Sequence, residues 1–265
     1  MMTAANLPQA IVLAAGRGGR MGSVTQSIPK CMVELVGKSL LCRQLDTLRD
    51  AGVCDIAVVG GYCADALRAD GAAIVLNPRH LVTNMVGSLF CAETLMVAGR
   101  DVIVSYGDIV YERRVLQTLL DTPGDVVVCV DRGWFRLWQA RMPDPLLDAE
   151  TLRLADGNRI IEIGMKPSSM ADIEGQYIGL IKVSGAFVHN FREAWHGLRR
   201  RDVGGGEAID GMYMTSFIQH LIDEGHDVRA ALFEGGWLEV DTAADLEAYR
   251  RLHHSGELDA LMRLR

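Results

Sequence analysis

The residues best suited to chemistry stand in a few short stretches. Ala14-Ala15-Gly16-Arg17-Gly18-Gly19-Arg20-Met21-Gly22 is rich in glycine, and Lys30 follows in Pro29-Lys30. Glycines let backbone N–H groups approach phosphate oxygens closely, and Arg17, Arg20 and Lys30 add cations to the same region. Asp108 follows the apolar run Asp101–Ser105 and the break Tyr106-Gly107. Ligands of open α/β sheets bind at the carboxyl ends of strands. A carboxylate there suits Mg²⁺, a hard cation that takes oxygen ligands and keeps substrate phosphates in its shell. Trp237-Leu238-Glu239-Val240-Asp241 supplies a second carboxylate at a predicted strand end. Glu239 lies on the same side as Asp241 by the two-residue period and is an alternative to it. Asp241 also stands where it could cap a following helix. Asn84-Met85-Val86-Gly87-Ser88-Leu89 opens a predicted helix in which Asn84 and Ser88 offer hydrogen bonds, although Asn84 is equally suited to capping it.

Another group of residues could meet an organic ligand. Trp134, Phe135 and Trp138 form a local aromatic cluster in a chain that is only 6% aromatic. It reads either as a partial cage for a cationic head group, at ~0.5–2 kcal/mol per ring, or as core packing. Lys166, in Gly164-Met165-Lys166-Pro167, could meet a phosphate, and Tyr177 is expected to line the same cleft. Nucleophilic chemistry finds no constellation: the seven histidines are scattered, and there is no G-x-S-x-G, H-E-x-x-H or EF-hand loop.

Two familiar phosphate motifs fail on spacing. Gly16 and Gly18 begin a G-x-G-x-x-G fingerprint, but its third glycine is Met21, and no acidic residue lies ~20 residues on to hold a ribose. Gly37-Lys38-Ser39 hints at a Walker A loop, but Met32 occupies the place of its leading glycine.

The elements around these residues follow an alternating pattern. Gln9–Ala14, Asp55–Gly60, Ala73–Leu76, Asp101–Ser105 and Asp125–Val130 are short apolar runs that read as strands, the first two and Asp101–Ser105 as buried ones. Between them the spacing predicts helices over Ser39–Asp50, Cys63–Ala69, Val86–Val97 and Glu112–Leu120. Strands alternating with helices indicate right-handed βαβ units and a mostly parallel sheet. After Asp131 the texture changes. Strands over Thr151–Leu154, Arg159–Ile163 and Tyr177–Val183 need not be parallel, and more follow at Val228–Phe233 and Trp237–Val240. Helices are expected near Phe187–Leu198, Met214–Glu224 and Ala243–Leu252, then an amphipathic tail over Ser255–Arg265. One domain over 1–265 is expected, with a first lobe to about residue 130 and a second lobe after it.

Composition narrows the field. With 49% hydrophobic and 23% charged residues over 265 positions, the chain can bury a core without disulfides or structural metal. The net charge of −7 argues against non-specific nucleic-acid or anionic-membrane binding, so an anionic ligand must be met by local cations and a metal. No apolar run approaches the ~18 residues of a transmembrane helix. Met1–Gln9 lacks a basic n-region. The six cysteines show no C-x-x-C pair and are expected to be buried, reduced thiols, which implies a cytoplasmic protein.

Leu13-Ala14-Ala15-Gly16-Arg17-Gly18-Gly19-Arg20-Met21 with Pro29-Lys30 resembles the signature of nucleotidyltransferases that join a nucleotide to a phosphorylated small molecule. The resemblance implies a Rossmann-like nucleotidyltransferase fold, α/β, with a mixed, mostly parallel sheet flanked by helices and a small substrate lobe. It gives Leu13, Ala14, Ala15, Gly16, Gly18, Arg20 and Lys30 to the nucleotide phosphates, with Arg20, Lys30 and Lys166 as catalytic cations. It gives Asn84 and Ser88 to the base, Asp108 and Asp241 to Mg²⁺, and Trp134, Trp138, Tyr177 and Lys166 to the acceptor. Asn84–Leu89, Asp131–Trp138, Glu174–Lys182 and Trp237–Asp241 are most similar to the cytidylyltransferase branch that acts on phosphocholine, phosphonates and related compounds, a phosphorylated amide being another acceptor in that branch. The implied partners are CTP and a small phosphorylated or phosphonate acceptor. A sugar 1-phosphate nucleotidyltransferase is the rival among enzymes. A non-catalytic nucleotide-binding domain is the rival outside them, and it could dispense with Lys30, Asp108 or Asp241.

Overall fold

The computed structural model describes residues 7–201 and 207–264. Residues 1–6 of the N-terminal stretch and Arg265 of the tail lie outside them. In chain order the strands are β1 (Gln9–Ala14), β2 (Glu34–Leu35), β3 (Lys38–Ser39), β4 (Asp55–Gly60), β5 (Ala73–Leu76), β6 (Val102–Tyr106) and β7 (Ile109–Tyr111). They continue as β8 (Val126–Asp131), β9 (Leu152–Ala155), β10 (Arg159–Ile163), β11 (Gln176–Val183), β12 (Val228–Phe233) and β13 (Trp237–Glu239). The helices are α1 (Leu40–Asp50), α2 (Met85–Cys91), α3 (Arg113–Asp121), α4 (Trp134–Arg141), α5 (Val188–Arg201), α6 (Glu207–Asp210), α7 (Met214–Asp223) and α8 (Ala243–Ser255).

One sheet organises the chain, in the order β5-β4-β1-β6-β11-β8-β12-β10-β9. The β1 strand lies between β4 and β6, parallel to both, and every residue of it is buried. That explains its unbroken apolar sequence, since a parallel strand covered on both faces has no polar side to show. Alternate residues feed two cores: Ala10 and Val12 pack with α1 and α3, while Ile11 and Leu13 pack with α2, α5 and α7. The residues expected to form a second lobe extend this same sheet. The β11 strand enters antiparallel between β6 and β8, β12 pairs parallel with β8, and β10 runs antiparallel to β12 and β9. The sheet is therefore mixed and mostly parallel, only β11 and β10 opposing the rest.

Local departures have local causes. The helix expected over Cys63–Ala69 is a single 3₁₀ turn, Ala64–Ala66, entered through a left-handed Cys63 (φ 47°) that breaks helical continuity. The one expected over Val86–Val97 ends at Cys91 and is followed by a 3₁₀ turn, Glu93–Leu95, whose Glu93 is held by Arg192 and His196 of α5. The aromatic stretch after Asp131, given no element by pattern, is α4. Among the described residues no helix is long and apolar enough to cross a membrane. All six cysteines are free, although only Cys31 and Cys129 are fully buried.

Candidate active site

The carboxyl end of β1 and its neighbours carries a cavity of about 410 Å³. Leu13, Ala14, Ala15, Gly16, Gly18, Arg20, Lys30, Asn84, Ser88, Asp108 and Asp241, separated widely in sequence, all line it. Backbone geometry at two glycines makes this convergence possible. Gly107 N donates to Leu13 O at 2.8 Å, and a Cβ on Gly107 would lie 2.7 Å from that same oxygen. Only glycine therefore lets the chain leave β6 against β1 and bring Asp108 to the loop. Gly18 is left-handed (φ 65°), and a Cβ there would meet the aliphatic stem of Lys30 at 3.0 Å. The bare glycine gives that stem room to cross the loop. Met21, fully buried, pins the following turn into the core, and Thr25 Oγ1 donates to Gly18 O at 3.1 Å.

Lys30 is the centre of the charge arrangement. Its Nζ donates to Asp108 Oδ2 and to Asp241 Oδ1, each at 2.7 Å, while Arg20 pairs with Asp241 Oδ2 at 2.6 Å. Burial disfavours the ammonium, but the two carboxylates outweigh it and hold the Lys30 pKa above its ordinary range. Beside it, burial pushes the Cys31 thiol up to about 12, with Asp108 adding to the shift, so this thiol stays protonated and inert.

Asp241 reaches the site on a small ribbon. The β13 strand pairs antiparallel with β7, and Val240 N donates to Asp108 O at 3.0 Å, so the two carboxylates arrive together. Behind them stands Glu239, whose Oε2 accepts from Arg141 Nη1 at 2.6 Å. Burial pushes the Glu239 carboxyl up to about 7, with Arg141 opposing and Asp108 and Asp241 reinforcing the shift. Asp241 does not cap α8. Thr242 does, in a reciprocal box with Asp245.

Asn84 caps α2 and also stands in the cavity wall. Its Oδ1 accepts from Met85 N at 2.8 Å at the head of α2, and the residue lines the cavity. Ser88 is buried, and its Oγ accepts from Asn77 Nδ2 at 3.0 Å, so part of its hydrogen-bonding capacity is already used. Asn77 also donates to Thr83 Oγ1 at 2.8 Å and accepts from Arg79 N at 2.9 Å, which fixes the loop leading to Asn84.

The residues assigned to an acceptor are not brought to this cavity. Trp134 and Trp138 are each 4% exposed and pack in the core, edge to face at 5.5 Å, with Trp138 also against Trp237. The reason is geometric: α4 packs against α8, with Trp138 on Trp237 of β13, and one turn of helix points both indoles inward. Phe135, on the outer side, is the partly exposed ring. Lys166 is exposed, and its Nζ donates to Leu146 O and Leu147 O at 3.4 and 3.1 Å. Tyr177 lies behind the wall, its ring edge-on to Tyr106 at 5.6 Å, and Tyr106 is the residue that faces the cavity. Pattern reading also missed His80 and Thr83, which line the cavity from the loop before α2, and Arg141 behind it. Nothing in spacing distinguishes these three from surface residues.

The two carboxylates suit a hard cation. Asp108 Oδ1 is buried with no hydrogen-bond partner, a free anionic oxygen beside the paired ones. Among the described residues no three His, Cys, Asp or Glu side chains converge as a closed cage, which would leave the other positions of a bound ion to phosphate oxygens and water.

Known proteins resemble the chain over nearly its whole length. A CTP:phosphoglutamine cytidylyltransferase from Campylobacter jejuni is 39% identical over 247 residues, covering 90% of this chain and 97% of that protein. A CMP-5'-(3-aminopropyl)phosphonate synthase from Streptomyces rubellomurinus is 28% identical over 252 residues, which are 89% of this chain and 37% of that protein. In fold, the inositol-1-phosphate CTP transferase from T. maritima superposes with a TM-score of 0.71 at 21% identity, covering 97% of this chain and 98% of the other. The CTP:phosphocholine cytidylyltransferase LicC from Streptococcus pneumoniae does so with a TM-score of 0.64 at 20% identity, covering 94% and 99%. The model of the MobA-like NTP transferase domain matches residues 10–167, which hold the glycine loop, Lys30 and Asp108. Nucleotidyltransferases of this family generally use a divalent metal. The chain belongs to the MobA-like NTP transferase family.

Proposed function

We propose that the protein transfers CMP from CTP to the phosphate or phosphonate oxygen of a small acceptor and releases pyrophosphate. The observation that carries this reading is the single cavity where the loop after β1 meets two strand-end carboxylates bridged by Lys30. The nucleotide and the class of acceptor rest on the Campylobacter jejuni relative, which matches over 90% of this chain and 97% of its own length.

The acceptor oxygen is already anionic at neutral pH, so its attack on the α-phosphorus needs no general base. That accords with a cavity lined by cations, amides and carboxylates and lacking a paired nucleophile and base. Backbone N–H groups of Gly16 and Gly18, which line the cavity, would meet the triphosphate, and Arg20 and Lys30 would neutralise it. Asn84 and Ser88, on the α2 side, are the groups available to the base. Asp108 and Asp241 would hold Mg²⁺, which when bound draws phosphate oxygens together and offsets their charge. What the chain itself contributes is positioning and charge neutralisation.

The acceptor we favour is a phosphorylated amide of the phosphoglutamine kind. The relative supports it, and the burial of Trp134 and Trp138 speaks against an aromatic cage for a choline head group. The test is pyrophosphate release from each of the four ribonucleoside triphosphates against phosphoglutamine, phosphocholine, 2-aminoethylphosphonate and glucose 1-phosphate. CTP with phosphoglutamine should give the highest kcat/KM. A preference for UTP with the sugar phosphate would replace this reading by a sugar nucleotidyltransferase.

A further inference from the structure

Arg141 closes α4, yet its side chain is only 1% exposed. A buried guanidinium must be paired, because an isolated buried charge is far too costly. Its partners are two acids that flank Asp241 in sequence. Nη1 donates to Glu239 Oε2 at 2.6 Å, Nε donates to Asp245 Oδ1 at 3.2 Å, and Nη2 donates to Asp245 Oδ2 at 3.3 Å. The plane of Trp138 supports the guanidinium from one side at 5.3 Å.

Asp245 passes this constraint on. The Oδ2 that Arg141 holds also accepts from Asp241 N at 2.9 Å and from Thr242 N at 2.8 Å. Asp245 is 2% exposed, so no water replaces Arg141 as its counter-charge. On the other side Tyr249 Oη donates to Glu239 O at 2.9 Å. The turn that presents the Asp241 carboxylate is thus fixed at both ends, and among the described residues Arg141 is the one group that holds both acids.

We infer that Arg141 is a positioning residue of the active site: by holding Asp245 and Glu239 together it sets the backbone that carries the Asp241 carboxylate. The inference rests on the proposed function for its effect on turnover, but its effect on the Asp241 backbone stands apart from any reaction. It also gives α4 a role different from ligand contact. The two tryptophans seat the helix, and the arginine at its end reaches the back of the site.

The test compares Arg141→Met with Arg141→Lys, the latter keeping a charge but losing the fork that grips two carboxylates. Hydrogen exchange of the Asp241 and Thr242 amides is measured in the full chain, alongside steady-state kinetics with CTP and phosphoglutamine. In Arg141→Met those two amides should exchange at least ~10-fold faster while amides in the middle of α8 keep their rates. The kcat should fall about 10- to 100-fold, as for other groups that orient a ligating residue, with KM for CTP within about threefold. Arg141→Lys should fall between parent and Arg141→Met on both measures. Unchanged exchange at both amides in both variants would overturn the inference, as would parental kcat in a variant whose exchange has risen. If Arg141→Met does not fold, Arg141→Lys decides by the same two measurements. If the parent protein turns over none of the substrates, the functional reading fails while the exchange arm still decides the positioning.

Discussion

Lys30 and Asp241 are 211 positions apart in the chain and 2.7 Å apart in space. With Asp108 on the other side of the same ammonium, they make one charge cluster from three distant segments. During transfer of a nucleotidyl group, negative charge builds on the departing pyrophosphate, so a cation at this place binds the transition state more strongly than the ground state. Lys30→Ala should therefore lower kcat more than it raises KM for CTP, by ~10²-fold or more in kcat. The check is steady-state kinetics at saturating metal. A change confined to KM would make Lys30 a uniform binder.

Asp108→Ala should remove most turnover and leave the fold intact. Asp108 follows β6 in a turn whose geometry depends on Gly107, and its Oδ1 supports no other hydrogen bond. The loss expected for a carboxylate that holds the metal is ~10³-fold, about 4 kcal/mol of barrier. A folded variant with near-parental pyrophosphate release at saturating Mg²⁺ would remove Asp108 from the metal site.

Legibility in the sequence followed the range of the interactions involved. The β1, β4 and β12 boundaries match the apolar runs, because a buried strand writes its limits locally, and β5 and β10 keep their expected bounds although both are partly exposed. The loop and both strand-end carboxylates were legible for the same reason: each stands directly after such a run. That Lys30 touches both carboxylates was not legible, since no pattern reports pairing across 211 positions. The aromatic cluster was ambiguous by nature, because Trp134 and Trp138 four apart fit a buried helix face as well as a cage. Arg141 was invisible, being one arginine among many until α4 placed it between Glu239 and Asp245.

The strand that carries Asp241 is anchored in the core by a polar contact. Trp237 Nε1 donates to Asp131 Oδ2 at 2.8 Å, while Asp131 Oδ1 accepts from Gly133 N and Gly235 N at 2.8 and 3.0 Å. Trp237→Phe keeps an aromatic ring but leaves a buried carboxylate oxygen without its donor. The cost should be ~1–3 kcal/mol of stability, read as a lower denaturant midpoint with an unchanged m-value. A midpoint equal to the parent's would show that Asp131 gains nothing from the indole.

Trp134 and Trp138 provide the sharpest separation of packing from recognition. Both indoles are buried among core residues, and Trp138 also touches Trp237 and supports Arg141. A ring that held a cationic acceptor would cost only ~0.5–2 kcal/mol on removal, confined to the acceptor's KM. A ring that fills the core costs ~3–5 kcal/mol of stability, because truncation leaves a cavity that neighbours only partly close. Trp134→Ala should therefore lower the melting temperature substantially while the ratio of the two KM values in the folded fraction stays at its parental value. Trp138→Ala should do the same and in addition lower kcat, because Arg141 loses the face on which it rests. Melting curves and both KM values for each variant decide the matter. An acceptor-selective rise in KM without loss of stability, in either variant, would return the aromatic cluster to the binding site.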